Sequence, residues 1–363
     1  MANLPTIEVG PVPSSFPIDV AQQQTLVETI ARQTSPAVVY HQYQTFRPFF
    51  KFLMAKAKVR EWAANFLEIP VTVPKDYSAR VGTLDFAGNV TIPAVDVGEY
   101  QWARYQPVIK DIGITFSEPQ IKLWKESPYR MIDDIKKQLM DTYKALFDTV
   151  SENLYTSGYD ATLTPPAWNN TKFLGLQDVV DDGTTAPDFG GIDRSTYTWW
   201  SAFVVDATTL GVAAGSEYLI VRYAAAKYQK TIKEPHPTLA FCNFGTFEKL
   251  AASMLATLPT ERVQYTTSYD QIASREAETT GIKIADVVFL VDPNIDEGTI
   301  YILDPEAIQF DFIEGYDVEM RPFVSLEPVG KFAFASWLLF GGQLYSQSPY
   351  RHIKITNVPY VTL

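Results

Sequence analysis

The sequence is short of the residues that catalysis and cross-linking most often use. Cys242 is its single cysteine, so no disulfide framework can form within the chain. Its three histidines, His41, His236 and His352, lie far apart and in no HxxxH or HExxH spacing, so no histidine metal centre is expected. There is no GxxxxGK(S/T) and no GxGxxG after a strand, hence no phosphate cradle. There is no GxSxG, and Ser195 has no histidine near it in sequence, so no serine nucleophile stands out. The longest apolar run, Phe332 to Phe340, is broken by Ser336 and falls far short of the ~20 residues of a membrane helix. The opening MANLPTIEVG has neither a basic nor an apolar segment of the secretory kind, so no signal peptide is expected. Positive charge is also scarce: 30 Lys and Arg stand against 42 Asp and Glu, a net charge of −12. That disfavours a dedicated nucleic-acid binder, though not a protein that encloses nucleic acid without gripping it. No repeat of 20–50 residues is visible.

What is present describes a folded α+β chain. With 363 residues, 46% of them hydrophobic, the chain can bury a sizeable core. Residues 1–20 carry Pro5, Pro11, Pro13 and Pro17 and no periodicity, which predicts an extended arm; residues 21–33 read as a short helix. A crowd of aromatics (Phe46, Phe49, Phe50, Phe52) shares its segment with the one local basic run, Arg47, Lys51, Lys56, Lys58 and Arg60. This suits an amphipathic helix packed on the body, its cations solvated or facing nucleic acid or an acidic neighbour. Residues 71–107 are strand-like, with a turn signal at Gly88-Asn89, and predict a long two-stranded excursion. From Val108 the apolar residues alternate as in a half-buried strand.

Residues 127–158 form the longest predicted helix. Ser127 suits the N-cap, Pro128 the first turn and Gly158 the stop. Ile132, Ile135, Leu139, Tyr143, Leu146, Val150 and Leu154 make one stripe, and Asp133–Lys137 and Lys144–Asp148 are spaced for ion pairs on the outside. Further on, Glu217–Lys230 and Thr246–Leu258 read as helices. Thr238–Phe244, Asp286–Val291, Thr299–Leu303 and stretches of Val318–Leu339 read as strands.

The stretch around which the rest is organised is Gly175–Trp200. It opens on a strand-like Leu176–Val180, passes through an acidic loop with Asp181, Asp182 and Asp188, and closes on Gly190-Gly191, Asp193-Arg194, Trp199 and Trp200. Paired glycines allow positive φ or a close backbone approach. Asp193 and Arg194 read as a charge pair beside apolar anchors, with Trp199 and Trp200 largely buried and Arg194 expected to find a carboxylate, within the subunit or across an interface, that suits its two-pronged geometry. The acidic loop misses the EF-hand spacing and is expected to be solvated rather than to hold calcium. The expectation is a structural junction or interface, with no catalytic, cofactor-binding or metal residue.

This stretch also carries a resemblance. GGIDRSTYTWW (Gly190–Trp200) after GLQDVV (Gly175–Val180) is similar to a signature of tailed-bacteriophage major capsid proteins. FCNFGTFEKLAASM (Phe241–Met254), LVDPNIDEGTIYILDPEAIQF (Leu290–Phe310) and FGGQLYSQSPYRHIKI (Phe340–Ile355) resemble further segments of that family, in the same order. The resemblance implies the Hong Kong 97-type capsid fold. Its parts would be an N-terminal arm and helices over 1–69, an extended loop over 70–107, and a peripheral domain over 108–201 with its spine helix at 127–158. An axial domain over 202–327 and closing strands over 328–363 would complete it. It implies a non-enzymatic subunit that assembles with itself into the pentamers and hexamers of an icosahedral virion shell around double-stranded DNA. No cofactor and no membrane are implied. Scaffold, portal and decoration proteins are the implied partners, and host cytoplasm the place of assembly. Residues 1–60 match nothing in the family pattern. An encapsulin-like nanocompartment shell shares this architecture, and a carbohydrate-active hydrolase with aromatic platforms is the enzyme alternative.

Overall fold

The computed structural model describes residues 47–60, 66–71, 83–84, 90–91, 101–117, 128–164, 166–257, 265–266, 281–284, 286–326 and 333–362. The arm over 1–20, the helix over 21–33, Ser127, His41 and most of the 70–107 loop lie outside these residues. The chain divides into two compact units. One takes in the described residues of Ile112–Tyr143 and Met320–Leu338; the other takes in those up to Asp111, of Lys144–Glu319 and from Leu339 onward.

Helix α1 (Pro48–Lys56) starts on a proline whose missing N–H costs nothing in a first turn, and it buries Phe49, Phe50, Phe52, Leu53 and Met54. Strand β1 (Lys58–Arg60) follows, then β2 (Leu67–Val71), whose alternating burial marks one packed face. β2 pairs antiparallel with β3 (Gln101–Tyr105), and Thr83–Leu84 pairs antiparallel with Val90–Thr91. The basic run is largely consumed inside its own unit. Arg47 reaches Asp148 at 3.7 Å and Asn294 at 2.8 Å, Lys56 donates to the Pro305 carbonyl, and Arg60 meets buried Asp311 at 2.8 Å. The expected Lys144–Asp148 pair thus gives way to one between Asp148 and Arg47.

β4 (Val108–Ser117) precedes α2 (Pro128–Tyr155), a helix of 28 residues and so about 42 Å long. Its stripe at Ile135, Leu139, Tyr143, Leu146, Val150 and Leu154 is at most 3% exposed. In the first unit Ile114 and Phe116 pack with Ile135, Leu139, Phe323 and Phe334. In the second unit come α3 (Leu176–Val179), the short strands β5 (Asp188–Phe189) and β6 (Ile192–Asp193), and β7 (Phe203–Asp206). Next are α4 (Tyr218–Ile232), β8 (Leu239–Cys242) and α5 (Phe244–Thr257). The remaining strands are β9 (Tyr265–Thr266), β10 (Gly281–Ile284), β11 (Val287–Val291), β12 (Ile300–Leu303), β13 (Ile308–Met320), β14 (Val324–Ser325), β15 (Ala333–Ser346) and β16 (Ile353–Thr356).

Seven strands of the second unit form one mixed sheet in the order β7-β16-β12-β8-β11-β10-β9. The central strands β8 and β12 are buried at every residue, as strands covered on both faces must be. Helices α4 and α5 supply Ile220, Val221, Ala224, Tyr228 and Leu250 to the core over this sheet. Also in the second unit, β1 pairs in parallel with β13; in the first, β14 pairs antiparallel with the start of β15.

Candidate functional site, a buried arginine junction

Gly175–Val180 does not run as the expected strand. It turns into the one-turn helix α3 because Asp178, at the third helical position, reaches back to accept the Gly175 N–H at 2.8 Å, half of a capping box. The same carboxylate accepts the Gly158 N–H at 2.7 Å and the Ser157 hydroxyl, just past the end of α2. Burial lifts Asp178 to about 6, against these hydrogen bonds and the nearby Arg194 charge, which act to lower it.

Asp182 and Asp188 of the acidic loop are exposed, as expected, but Asp181 turns inward. One oxygen of buried Asp181 accepts the N–H groups of Gly183, Thr185 and Ala186 at 2.9–3.0 Å, closing the loop on itself. That turns Arg194 into the centre of the junction. Its side chain is wholly buried. It donates to the carbonyls of Asp178 (2.8 Å), Ala186 (3.0 Å), Val179 (3.1 Å) and Trp200 (3.3 Å). It also lies 4.7 Å over the Phe189 ring. Its nearest carboxylate, Asp181, stands 3.7 Å away. The expected two-pronged carboxylate grip is therefore replaced by a cage of carbonyls from three chain segments, a use of the five-donor fork that lysine could not match. Asp193 is not its partner. It turns outward and accepts from the Ser195 N–H and hydroxyl and the Thr196 hydroxyl at 2.8 Å, which hold its carboxyl below the usual range.

Gly190 and Gly191 form the two-residue loop of the β5–β6 hairpin. Both have positive φ (64° and 75°), as the tight hairpin turn of this length requires. Gly190 also meets β3. Its carbonyl accepts the Arg104 N–H at 2.8 Å, and a Cβ on it would sit 3.0 Å from the Tyr105 ring and 3.1 Å from Ala103. Trp200 is fully buried and donates its indole N–H to the Phe189 carbonyl at 2.8 Å. Trp199, expected to be buried too, is only partly covered and stacks edge-on to Trp200. From Trp200 the chain continues into β7, whose Phe203 N–H meets the His352 carbonyl at 3.0 Å. Around this buried arginine, Asp178 links to the segment just past α2, Gly190 to strand β3, and Trp200 to the entry of the seven-stranded sheet.

Sequence reasoning passed over Tyr105 and Gln343, and named Asp178 only within a strand-like run and Asp181 only within a solvated loop. Tyr105 anchors its hydroxyl on the Ser346 carbonyl at 2.9 Å, and burial raises its pKa. Gln343 is fully buried and joins Leu174 N–H to Gln106 carbonyl. The one available signal was Asp three residues after Gly175.

Among the described residues the other candidate groups do not assemble into reactive sites. His352 is buried, with Nδ1 accepting the Asp304 N–H at 3.2 Å. Its proton is thereby left on Nε2, facing Ser346 at 3.2 Å, the wrong tautomer to take a proton from that serine. Burial drives its pKa down to about 3. Cys242 is buried and its thiol is pushed up, the reverse of an activated thiolate. Among the described residues no three His, Cys, Asp or Glu gather as a metal site, and no helix is long and apolar enough to cross a membrane. A cavity of about 730 Å³ beside the junction is lined by Phe66, Tyr105, Trp168, Asp188 and Asp193. Partial burial and the Asp193 charge opposite raise the Asp188 pKa.

The chain has a capsid-protein fold. It is similar to the structure of the cyanophage A-1(L) capsid asymmetric unit, with 11% identity and a TM-score of 0.60 over 86% of this chain and 93% of that one. It is also similar to the holo-SrpI encapsulin complex from Synechococcus elongatus PCC 7942, with 12% identity and a TM-score of 0.50 over 86% and 90%. No protein-family model and no curated protein matches the sequence.

Proposed function

We propose that this chain is the structural subunit of a phage-type capsid, assembling with itself into pentamers and hexamers around double-stranded DNA. The observation that carries the reading is a fold shared with a phage capsid protein over 93% of that protein's chain. In this reading residues 1–69 supply an arm, 70–107 the extended loop, 108–201 the peripheral domain, 202–327 the axial domain and 328–363 the closing strands. The arginine junction is structural and holds the stem of the extended loop against the end of the spine helix. A shell repeats each contact by symmetry, so a junction that fixes subunit shape acts on the whole particle. The subunit performs no turnover; the tautomer of His352 and the buried, raised thiol of Cys242 support this. Scaffold, portal and decoration proteins are its proposed partners, host cytoplasm its place of assembly and the virion its destination.

A nanocompartment shell is the second reading, favoured by the similarity to the encapsulin complex. Sedimentation of the purified protein, followed by nucleic-acid analysis of nuclease-treated particles, separates the two. Large particles with protected DNA support the capsid, large particles loaded with protein alone support the nanocompartment, and a discrete small oligomer sinks both.

A further inference from the structure

Helix α4 has a face that the junction and the core do not use. Tyr218, Ile220, Val221, Ala224, Ala225 and Tyr228 point into the core. On the outside Arg222, Lys227 and Lys230 are exposed, and Lys233 extends the row just past the end. The helix contains no acidic residue. At 100° per residue these four cations share one sector of about 140°. The carboxylates that flank α4 in sequence, and Asp286 in the groove beside it, have cations of their own. Glu217 pairs with Lys249 (3.4 Å), Glu234 with Arg351 (3.4 Å) and Asp286 with Lys283 (2.8 Å).

Such a row is unfavourable where it stands. Lys227, Lys230 and Lys233 are like charges at i,i+3 spacing, each pair costing a few tenths of a kcal/mol. The helix dipole offsets this for Lys230 and Lys233 at the C-terminal end but opposes Arg222, which lies near the N-terminus. In a chain of net charge −12, a basic face whose four cations have no ion pair among the described residues is a local exception. Exposed Tyr223 and Gln229 add neutral donors beside it, along a groove of about 800 Å³ that Arg222, His236, Lys283 and the Lys283-paired Asp286 also line. From Arg222 to Lys233 the helix rises about 17 Å. A duplex carries one charge per ~1.7 Å of axis, so roughly ten phosphate charges fall in that span.

We infer that the outer face of α4 is a sequence-independent contact for the phosphate backbone of nucleic acid. The inference deepens the capsid reading and rests on it for the source of the DNA. It differs from the basic run at 47–60, whose cations are mostly spent inside the subunit. The carboxylates of a second copy are the competing occupant. A continuous row with neutral donors beside it fits phosphate better, because phosphate contacts recruit Tyr and Gln together with Lys and Arg.

The test is titration of a short random-sequence DNA duplex into unassembled protein over a range of salt, with assembly state checked by sedimentation in each buffer. Each phosphate contact adds about 0.9 to the slope of log K against log salt. The variant R222Q/K227Q/K230Q/K233Q should therefore have a slope shallower by about 3–4. The control K136Q/K137Q/K144Q, which removes exposed or partly exposed charge from α2, should keep the slope. Wild type that binds no duplex, or a control that loses as much slope as the variant, overturns the proposal. So does a variant that keeps its slope but no longer assembles, which would assign the face to a second copy. Duplex binding through this face by a protein that never forms particles would sink the capsid reading and leave the face standing.

Discussion

Alanine at Gly190 and at Gly191 should have different costs, although the two residues are adjacent and both have positive φ. At Gly191 a Cβ meets nothing within 4 Å, so only the left-handed backbone is strained, at about 1 kcal/mol. At Gly190 the same strain applies, and the Cβ would press on the Tyr105 ring at 3.0 Å and on Ala103 at 3.1 Å. Tyr105 has little freedom to move. Its hydroxyl is held by Ser346 at 2.9 Å, and its ring packs on Phe189 and Tyr345 at 5.4 and 5.6 Å between centroids. Overpacking a site that cannot relax adds about 1–3 kcal/mol. Gly190→Ala should thus lose about 2–4 kcal/mol, against about 1 for Gly191→Ala. Urea unfolding of unassembled protein, followed by tryptophan fluorescence, measures the difference. Hydrogen exchange locates it, since the Arg104 N–H bonded to the Gly190 carbonyl should lose protection in the first variant alone. Equal losses, or an Arg104 amide unchanged in Gly190→Ala, would refute the argument that the hairpin tip is seated on β3.

Arg194→Met should leave four carbonyls without this donor and Asp181 without its nearby counter-charge, and cost at least about 3 kcal/mol, with Arg194→Lys restoring only part of it; denaturant midpoints of the two variants test this. Trp200→Ala, at a fully buried site, should lose about 3–5 kcal/mol in the same assay, and Trp199→Ala less than half as much. Asp178 titrates near 6 folded and near 3.8 unfolded, so between those values the folded state holds more protons and this group's contribution falls as pH rises. Asp178→Asn should remove a slope worth on the order of 3 kcal/mol over that window in a stability–pH profile. His352 works in the opposite sense. Its folded value near 3 lies below the ordinary 6.5, so its contribution is present above pH 6.5 and lost toward acid, and His352→Gln should flatten that acid arm.

The regular elements were legible where one periodicity dominated. The α2 stripe and the buried runs of β8 and β12 declare themselves through apolar spacing alone. Gly175–Val180 misled because its apolar run fits a strand, while a single carboxylate at Asp178 decides for a helical turn. The glycine pair was legible as backbone. That Gly190 rather than Gly191 is the crowded one depends on Tyr105, 85 residues earlier in the chain, which no local pattern shows. Arg194 was legible as an anchor but not in its partners. Carbonyl acceptors leave no mark in a sequence, whereas a carboxylate nearby, such as Asp193, attracts the eye and here faces the other way.

A capsid subunit must build a shell. Electron microscopy of the purified protein in assembly buffer should show closed particles of uniform diameter with clusters of five and six subunits on their surface. A uniform field of small, discrete monomers or dimers across the same conditions would contradict the capsid reading.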